Sequence, residues 1–481
     1  MLDFKKCITA GFFVFTQMSF AQGSSQVVMT VEQFLNLAIQ QTEDFQAIDT
    51  SIKSLEYEID ARDLQLATNL QLEAFDLRDR KDSFANSTNR DTASRVYGVT
   101  LAKPFSTGTI LSLGAEYESA KLDTVNDQLY RADWKISFTQ DLWKNGFGRS
   151  VRLRRQADQL EFENKNLNLL LQKQQLLNTL ESLYWDYALI QNERGIRQEN
   201  LKRSEQIFNW MNKRVRLSAA RENDKLQVQA LLSSRKLELS DIERLAAINK
   251  NQMDQFVPTL ANKNWVPDLN ELEKERALES LLAGVTKTGN PVLLSTLAMQ
   301  YKAQQLQIQS EAAQDILNPT LQLQLAHGQN GIRPDSQIAV DRALGNNKSD
   351  ADRIGLIFSM NLDLALMAKS RDSARLAAEA SALSVKRLDR SSQLSWTDLQ
   401  AEINYLKNSL QLSKDLYNYQ KKNIEIERRY FQQGRNTIFE FINFEIVAAD
   451  AELRFFRVLN QMRKTEASAR LYTIDERVSR P

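Results

Sequence analysis

The sequence predicts a mainly α-helical protein with a β-barrel part, in which long coiled-coil helices are continued by two-faced strands and the plan is internally duplicated. Three observations predict it. First, proline and glycine nearly vanish from two long tracts: no proline lies between Pro104 and Pro258 or between Pro334 and Pro481, and Gly434 is the only glycine after Gly355. Second, ahead of each tract the hydrophobic period changes from helical to two. Third, the order of helix, strands, long helix, turn and return helix occurs twice, dividing the chain into repeats at 22–260 and 261–481.

The elements follow in chain order. Met1 to Ala21 reads as a secretory signal, with Lys5 and Lys6, an apolar run from Ile8 to Phe15, and Ser19-Phe20-Ala21 as a cleavage site. The only cysteine, Cys7, falls within it, so the mature chain is expected to form no disulfide. Thr30 and Gln33 fit a capping box for a helix with Val31, Phe34, Leu35 and Ala38 on its apolar face. A second helix covers Ile48 to about Thr68.

Strands are then expected within 70–142: Leu70 to Leu77, Arg95 to Lys103, Thr109 to Glu118, and the run in which Trp134, Ile136, Phe138 and Leu142 alternate with polar residues. In the second half, 319–327 and 353–366 alternate in the same way. Period-two alternation fits a small soluble sheet equally well. The signal segment, the short turn Pro104 to Gly108 and the long polar connections (78–94, 119–131, 328–352) favour an outer-membrane barrel.

A long helix is expected over 150–213, with Leu177, Leu180, Tyr184 and Tyr187 on its seam, then a turn at 216–224 and a return helix over 224–256. The second half repeats this: a long helix over 367–431, whose seam includes Leu399, Ile403, Leu406, Leu410 and Tyr417, a turn at 432–437, and a return helix over 437–472. Gly434 permits the reversal, and Thr437 with Glu440 forms the next capping box. About 60 residues of helix span roughly 90 Å, too long for one compact core to bury.

Lys+Arg number 62 against Asp+Glu 61, so the net charge of +1 gives no reason to expect a nucleic-acid partner, and mean hydropathy of −0.45 implies largely wet helices. Arg152, Arg154 and Arg155 read as a solvated or membrane-side helix face. His327, the sole histidine, is placed at a strand end before Gly328, as a loop-edge residue, and makes no metal site. The sequence offers no catalytic triad, phosphate loop or metal spacing, so neither an enzyme nor a cofactor is expected.

In this order, Val31-Glu-Gln-Phe-Leu-Asn-Leu-Ala-Ile, Asn318-Pro-Thr-Leu-Gln-Leu and Gly434-Arg-Asn-Thr-Ile-Phe-Glu440 resemble the TolC-type outer-membrane efflux proteins over essentially the whole mature chain. The resemblance implies a homotrimer with a shared β-barrel in the outer-membrane lipid and a helical tunnel in the periplasm. It would be a passive exit duct of a tripartite efflux pump or type I secretion system, joined to an inner-membrane transporter through a periplasmic adaptor.

The resemblance places the pore gate at Glu440, Asp224 and Asn443, the last departing from the family's aspartate. Adaptor contacts fall at the turns: Arg216, Leu217 and Ser218 in the first, and Phe431, Gly434, Arg435, Asn436 and Thr437 in the second. Arg216 stands where the family has glycine. A further departure is strand number: the family has about four per chain, roughly twelve in a trimer, against up to six candidates here, and the hairpin Arg95 to Glu118 either enlarges the barrel or lies outside it. A ring of Glu440 carboxylates is expected to favour cations and to titrate above an isolated glutamate. A coiled-coil scaffold that transports nothing is the competing reading, and the two-faced strands weigh against it.

Overall fold

In the computed structural model the described residues are 27–79, 92–122, 128–261, 263, 265–274, 293–345 and 349–472; the signal segment Met1 to Ala21 lies outside them. The chain divides into two units, each assembled from both halves of the sequence. The two longest helices among the described residues, α3 (Arg149–Arg216, 68 residues) and α8 (Leu364–Gln432, 69 residues), each contribute to both units. At 1.5 Å per residue each is roughly 100 Å long. Among the described residues no helix is long and apolar enough to cross a membrane.

In the first unit, β1 (Val27–Met29) pairs in parallel with β6 (Trp265–Pro267). Helix α1 (Val31–Gln41) starts at the expected box: Gln33 N–H donates to the Thr30 hydroxyl at 3.3 Å and Thr30 N–H to Gln33 Oε1 at 3.1 Å. Its buried face brings Phe34 against Trp265, ring centroids 5.9 Å apart, while the Tyr184 hydroxyl donates to Met29 O at 2.7 Å. The seam residues Tyr184 and Tyr187 are buried here. The unit also contains α4 (Glu222–Phe256), the short α5 (Asn270–Glu273) and most of α9 (Ile438–Ala469).

The second unit carries one open antiparallel sheet, ordered β2-β3-β4-β5-β7-β8, and the described residues of the single chain form no closed barrel. Its strands are β2 (Asn69–Asp79), β3 (Thr92–Pro104), β4 (Thr109–Leu122), β5 (Gln128–Asp141), β7 (Thr320–Arg333) and β8 (Asp350–Ser359). All six expected strands are present and most run further than expected, which shortens the connections between them.

The last strand is the exception. Alternation continues to Leu366, but β8 ends at Ser359 and α8 begins at Leu364. The Asn361 side chain accepts Asp363 N–H at 3.1 Å and Asp363 O accepts Met367 N–H at 3.1 Å, so a turn and a helix start replace the last alternating residues. His327 also departs from its expected place at a strand end, because β7 continues past it to Arg333. It pairs with Asp352 at 2.8 Å and lies edge-on to Trp134.

The register gives the sheet two unlike faces. On one, Leu72, Val99, Ala115 and Trp134 follow one another across four strands, flanked by Leu70, Leu101, Leu113 and Ile136. Leu72 is 69% exposed, Leu113 50% and Ile354 81%. The opposite face carries Glu73, Gly98, Glu116 and Asp133 in a row.

Helix α7 (Ser336–Leu344) lies on the apolar face at one end: Trp134 Nε1 donates to Ala343 O at 2.8 Å. Gly331 is needed there, since a Cβ would sit 2.2 Å from Ala339 O. The unit also holds α2 (Glu43–Arg62) and α6 (Leu294–Gln314). Arg62 of α2 bonds Glu58, Asp158 and Glu161, and this guanidinium holds the Glu161 carboxyl down to about 2. Arg155 forks onto Asp63 at 2.8 and 3.1 Å, so the arginine cluster is partly neutralised within the chain.

Candidate functional site: the paired helix-end turns

The second turn joins α8 to α9. Gly434 N–H donates to Phe431 O at 3.0 Å and Arg435 N–H to Tyr430 O at 2.9 Å, the nested pattern that closes a helix on a left-handed residue. Gly434 supplies that residue, with φ +71°. Thr437 then starts α9: its N–H donates to Glu440 Oε2 at 2.8 Å, its hydroxyl to the same oxygen at 2.9 Å, and Glu440 N–H returns to the hydroxyl at 3.3 Å. Asn436 is tied to Glu427.

The first turn joins α3 to α4 by the same pattern. Ser218 N–H donates to Val215 O at 2.9 Å and Ala219 N–H to Arg214 O at 2.8 Å. Here the left-handed residue is Ser218, φ 57°. Arg216, expected in place of a glycine, is the last residue of α3, and the turn needs no glycine at that position. Helix α4 starts at Glu222, earlier than expected, so Asp224 occupies its third position rather than its cap. Its carboxylate accepts Arg221 N–H at 3.2 Å, half of a capping box, because an arginine side chain has no acceptor to complete it.

Both turns share one apolar core of Met211, Val228, Ile424, Phe431, Ile438 and Phe441. Phe431 stacks on Phe441, centroids 4.6 Å apart and planes 4° from parallel, and meets Trp210 at 4.9 Å. Phe431 was expected at the contact surface, but at 6% exposed it anchors the turn from inside.

Beside this core is a cavity of about 270 Å³ lined by Ile207, Trp210, Phe431 and Phe441 together with Arg203, Arg428 and Glu445. The buried Glu445 carboxylate lies 3.1 Å from Arg428 and 3.8 Å from Arg203. Sequence reasoning missed these three charges, which sit on different helices and form no local motif.

Glu440 and Asn443 lie one turn apart on an exposed face of α9, and Asp224 and Glu440 hold equivalent third positions in the two return helices. Leu217, Ser218, Gly434, Arg435 and Thr437 are exposed as well. The Glu440 carboxyl was expected to titrate high in a ring. Within one chain the Thr437 N–H and hydroxyl hold it below the usual glutamate range.

Sequence reasoning also missed an apolar stripe on α8. Leu376, Leu383, Leu394, Tyr405, Leu412 and Tyr419 are all exposed, at spacings of 7, 11, 11, 7 and 7 that keep one helix face. The signal was in the sequence, masked by the stronger seam that includes Ile403 and Leu406.

The chain shares its fold with solved outer-membrane channels. It is similar to the outer membrane protein VceC of Vibrio cholerae (12% identity, TM-score 0.68, 92% of this chain and 95% of that one). Similar too are the transmembrane channel CusC (11%, 0.67, 94% and 95%) and the open MtrE outer membrane channel of Neisseria gonorrhoeae (14%, 0.64, 92% and 88%). No protein-family model and no curated protein matches the sequence.

Proposed function

We propose that this chain is the outer-membrane exit duct of a tripartite efflux pump or type I secretion system. Three copies insert their sheets in the outer membrane and set their long helices side by side in the periplasm. The observation that carries this reading is the two-faced sheet. A soluble protein has no use for one face with Leu72, Leu113 and Ile354 bare to solvent across every strand, whereas lipid covers such a face favourably.

The bare stripe from Leu376 to Tyr419 supports association of helices from several copies, since nothing among the described residues covers it. The fold likeness to VceC, CusC and MtrE supports the channel role. The two sequence repeats, 22–260 and 261–481, each supply one long helix, one turn and one return helix to the tunnel.

Glu440, Asp224 and Asn443 narrow the pore as the gate. A periplasmic adaptor that also holds the inner-membrane transporter docks at the exposed turn residues Arg216, Leu217, Ser218, Gly434, Arg435 and Thr437 and at the half-buried Asn436. Helix ends suit that role, because they present free backbone groups and loop side chains to a partner.

The test is fractionation of cells expressing the full chain. The reading expects the protein in the outer membrane, extracted only by detergent, as a trimer band on an unheated gel that collapses to monomer on boiling. A monomer released with the soluble periplasmic contents would overturn it.

A further inference from the structure

The two edges of the sheet, β2 and β8, have no strand beside them among the described residues, and no backbone edge stays unpaired in lipid. We infer that β8 of one copy pairs with β2 of the next, so that every chain contributes six strands and three copies close an eighteen-stranded barrel. This rests on the outer-membrane reading above. The five antiparallel pairings leave β2 and β8 running in opposite directions, so the seam continues the antiparallel order without a break.

The register of the seam follows from the lipid-facing band. That face turns charged at Asp76 on β2 and at Asp352 on β8. The row of directly paired residues through Asp352 reaches β2 at Leu70, six positions short of Asp76. The other margin of the band drifts the same way: Lys103 on β3 and Gln140 on β5 lie two and four positions beyond that row.

A band level with the membrane therefore crosses about one residue of stagger per strand. In an eight-stranded barrel that ratio corresponds to a tilt of roughly 36°, inside the range of membrane barrels. Levelling the band across the seam sets Leu356 opposite Leu72 of the neighbouring copy and Ile354 opposite Ala74. A barrel of eighteen strands leaves an open aqueous channel, wider than one of twelve.

The test is disulfide crosslinking of the full chain in outer membranes. Cys7 is the only native cysteine, so paired substitutions report cleanly. Leu356→Cys combined with Leu72→Cys is compared with Leu356→Cys combined with Leu113→Cys, which would face each other if only β4 onward entered the barrel. Each single variant serves as a control, and heat-dependent gel migration confirms that each variant folds.

The seam predicts an oxidation-dependent ladder and loss of monomer for the Leu72 pair alone. A ladder from the Leu113 pair, or from neither, overturns it. A Leu72 ladder that stops at two rungs leaves the seam standing and removes the trimer reading instead.

Discussion

The two helix-end turns solve one geometric problem with different residues. Both close a long helix with the same nested hydrogen bonds, and both need a left-handed residue. The second uses Gly434, which adopts φ +71° without penalty, and nails the preceding turn into the core with Phe431. The first uses Ser218, which pays about 1–2 kcal/mol for its Cβ at that φ. At the place of Phe431 it has Val215, and Arg214 lies over the Trp210 ring at 4.7 Å. The capping that follows differs likewise: Thr437 and Glu440 satisfy each other through their side chains, while the Asp224 carboxylate accepts Arg221 N–H and Asp224 N–H finds only the Arg221 backbone carbonyl, at 3.1 Å, in return. Shared geometry thus conceals unequal strength, and the first turn is the easier to open.

The strongest way to break the comparison is to remove the anchor. Phe431→Ala leaves a cavity between Trp210 and Phe441 and should destabilise the helix ends by about 3–5 kcal/mol, read as a lowered unfolding temperature in detergent. Gly434→Val comes next, at about 2 kcal/mol. A Cβ there meets no atom within 4 Å, so the whole effect is backbone strain, and Gly434→Ala should show a smaller version of it.

Ser218→Gly should act in the opposite direction, stabilising by about 0.5 kcal/mol once glycine's own entropy is counted. Hydrogen exchange sharpens the contrast: the Ala219 amide should exchange faster than Arg435, and Ser218→Gly should narrow the gap.

The smallest effect is the acid dependence of the Glu440 cap. Its folded pKa lies below the unfolded value, so the cap contributes fully above the unfolded glutamate range and is lost as pH falls through the folded value. Exchange at the Thr437 amide should accelerate over that window in the wild type. In Glu440→Gln, which cannot ionise, it should not.

Most of the fold was legible because hydrophobic period is a local signal. The two faces of the strands lie open in the alternation of Trp134, Ile136 and Phe138, and the second turn in Gly434 and Thr437. The first turn was harder to read. A serine in the left-handed region is selected by the two helices it joins rather than by its own preference, so Ser218 carries no local signal and Arg216, the place without the expected glycine, marks the wrong position.

The expected continuation of the last strand to Leu366, where β8 ends at Ser359, has a related cause, since alternating leucines suit a helix start as well as a strand. Glu445 with Arg203 and Arg428 could not be read at all, because only packing brings residues from three helices together.

The central claim is that these turns close a conducting pore. Single-channel recording in a planar bilayer under a salt gradient tests it most directly, comparing wild type with Glu440→Gln and Glu440→Lys. A gate lined by three carboxylates predicts cation preference in the wild type, less in Glu440→Gln, and reversal or block in Glu440→Lys. An unchanged reversal potential in both variants, with the oligomer intact, would contradict the gate and leave Glu440 as a helix cap.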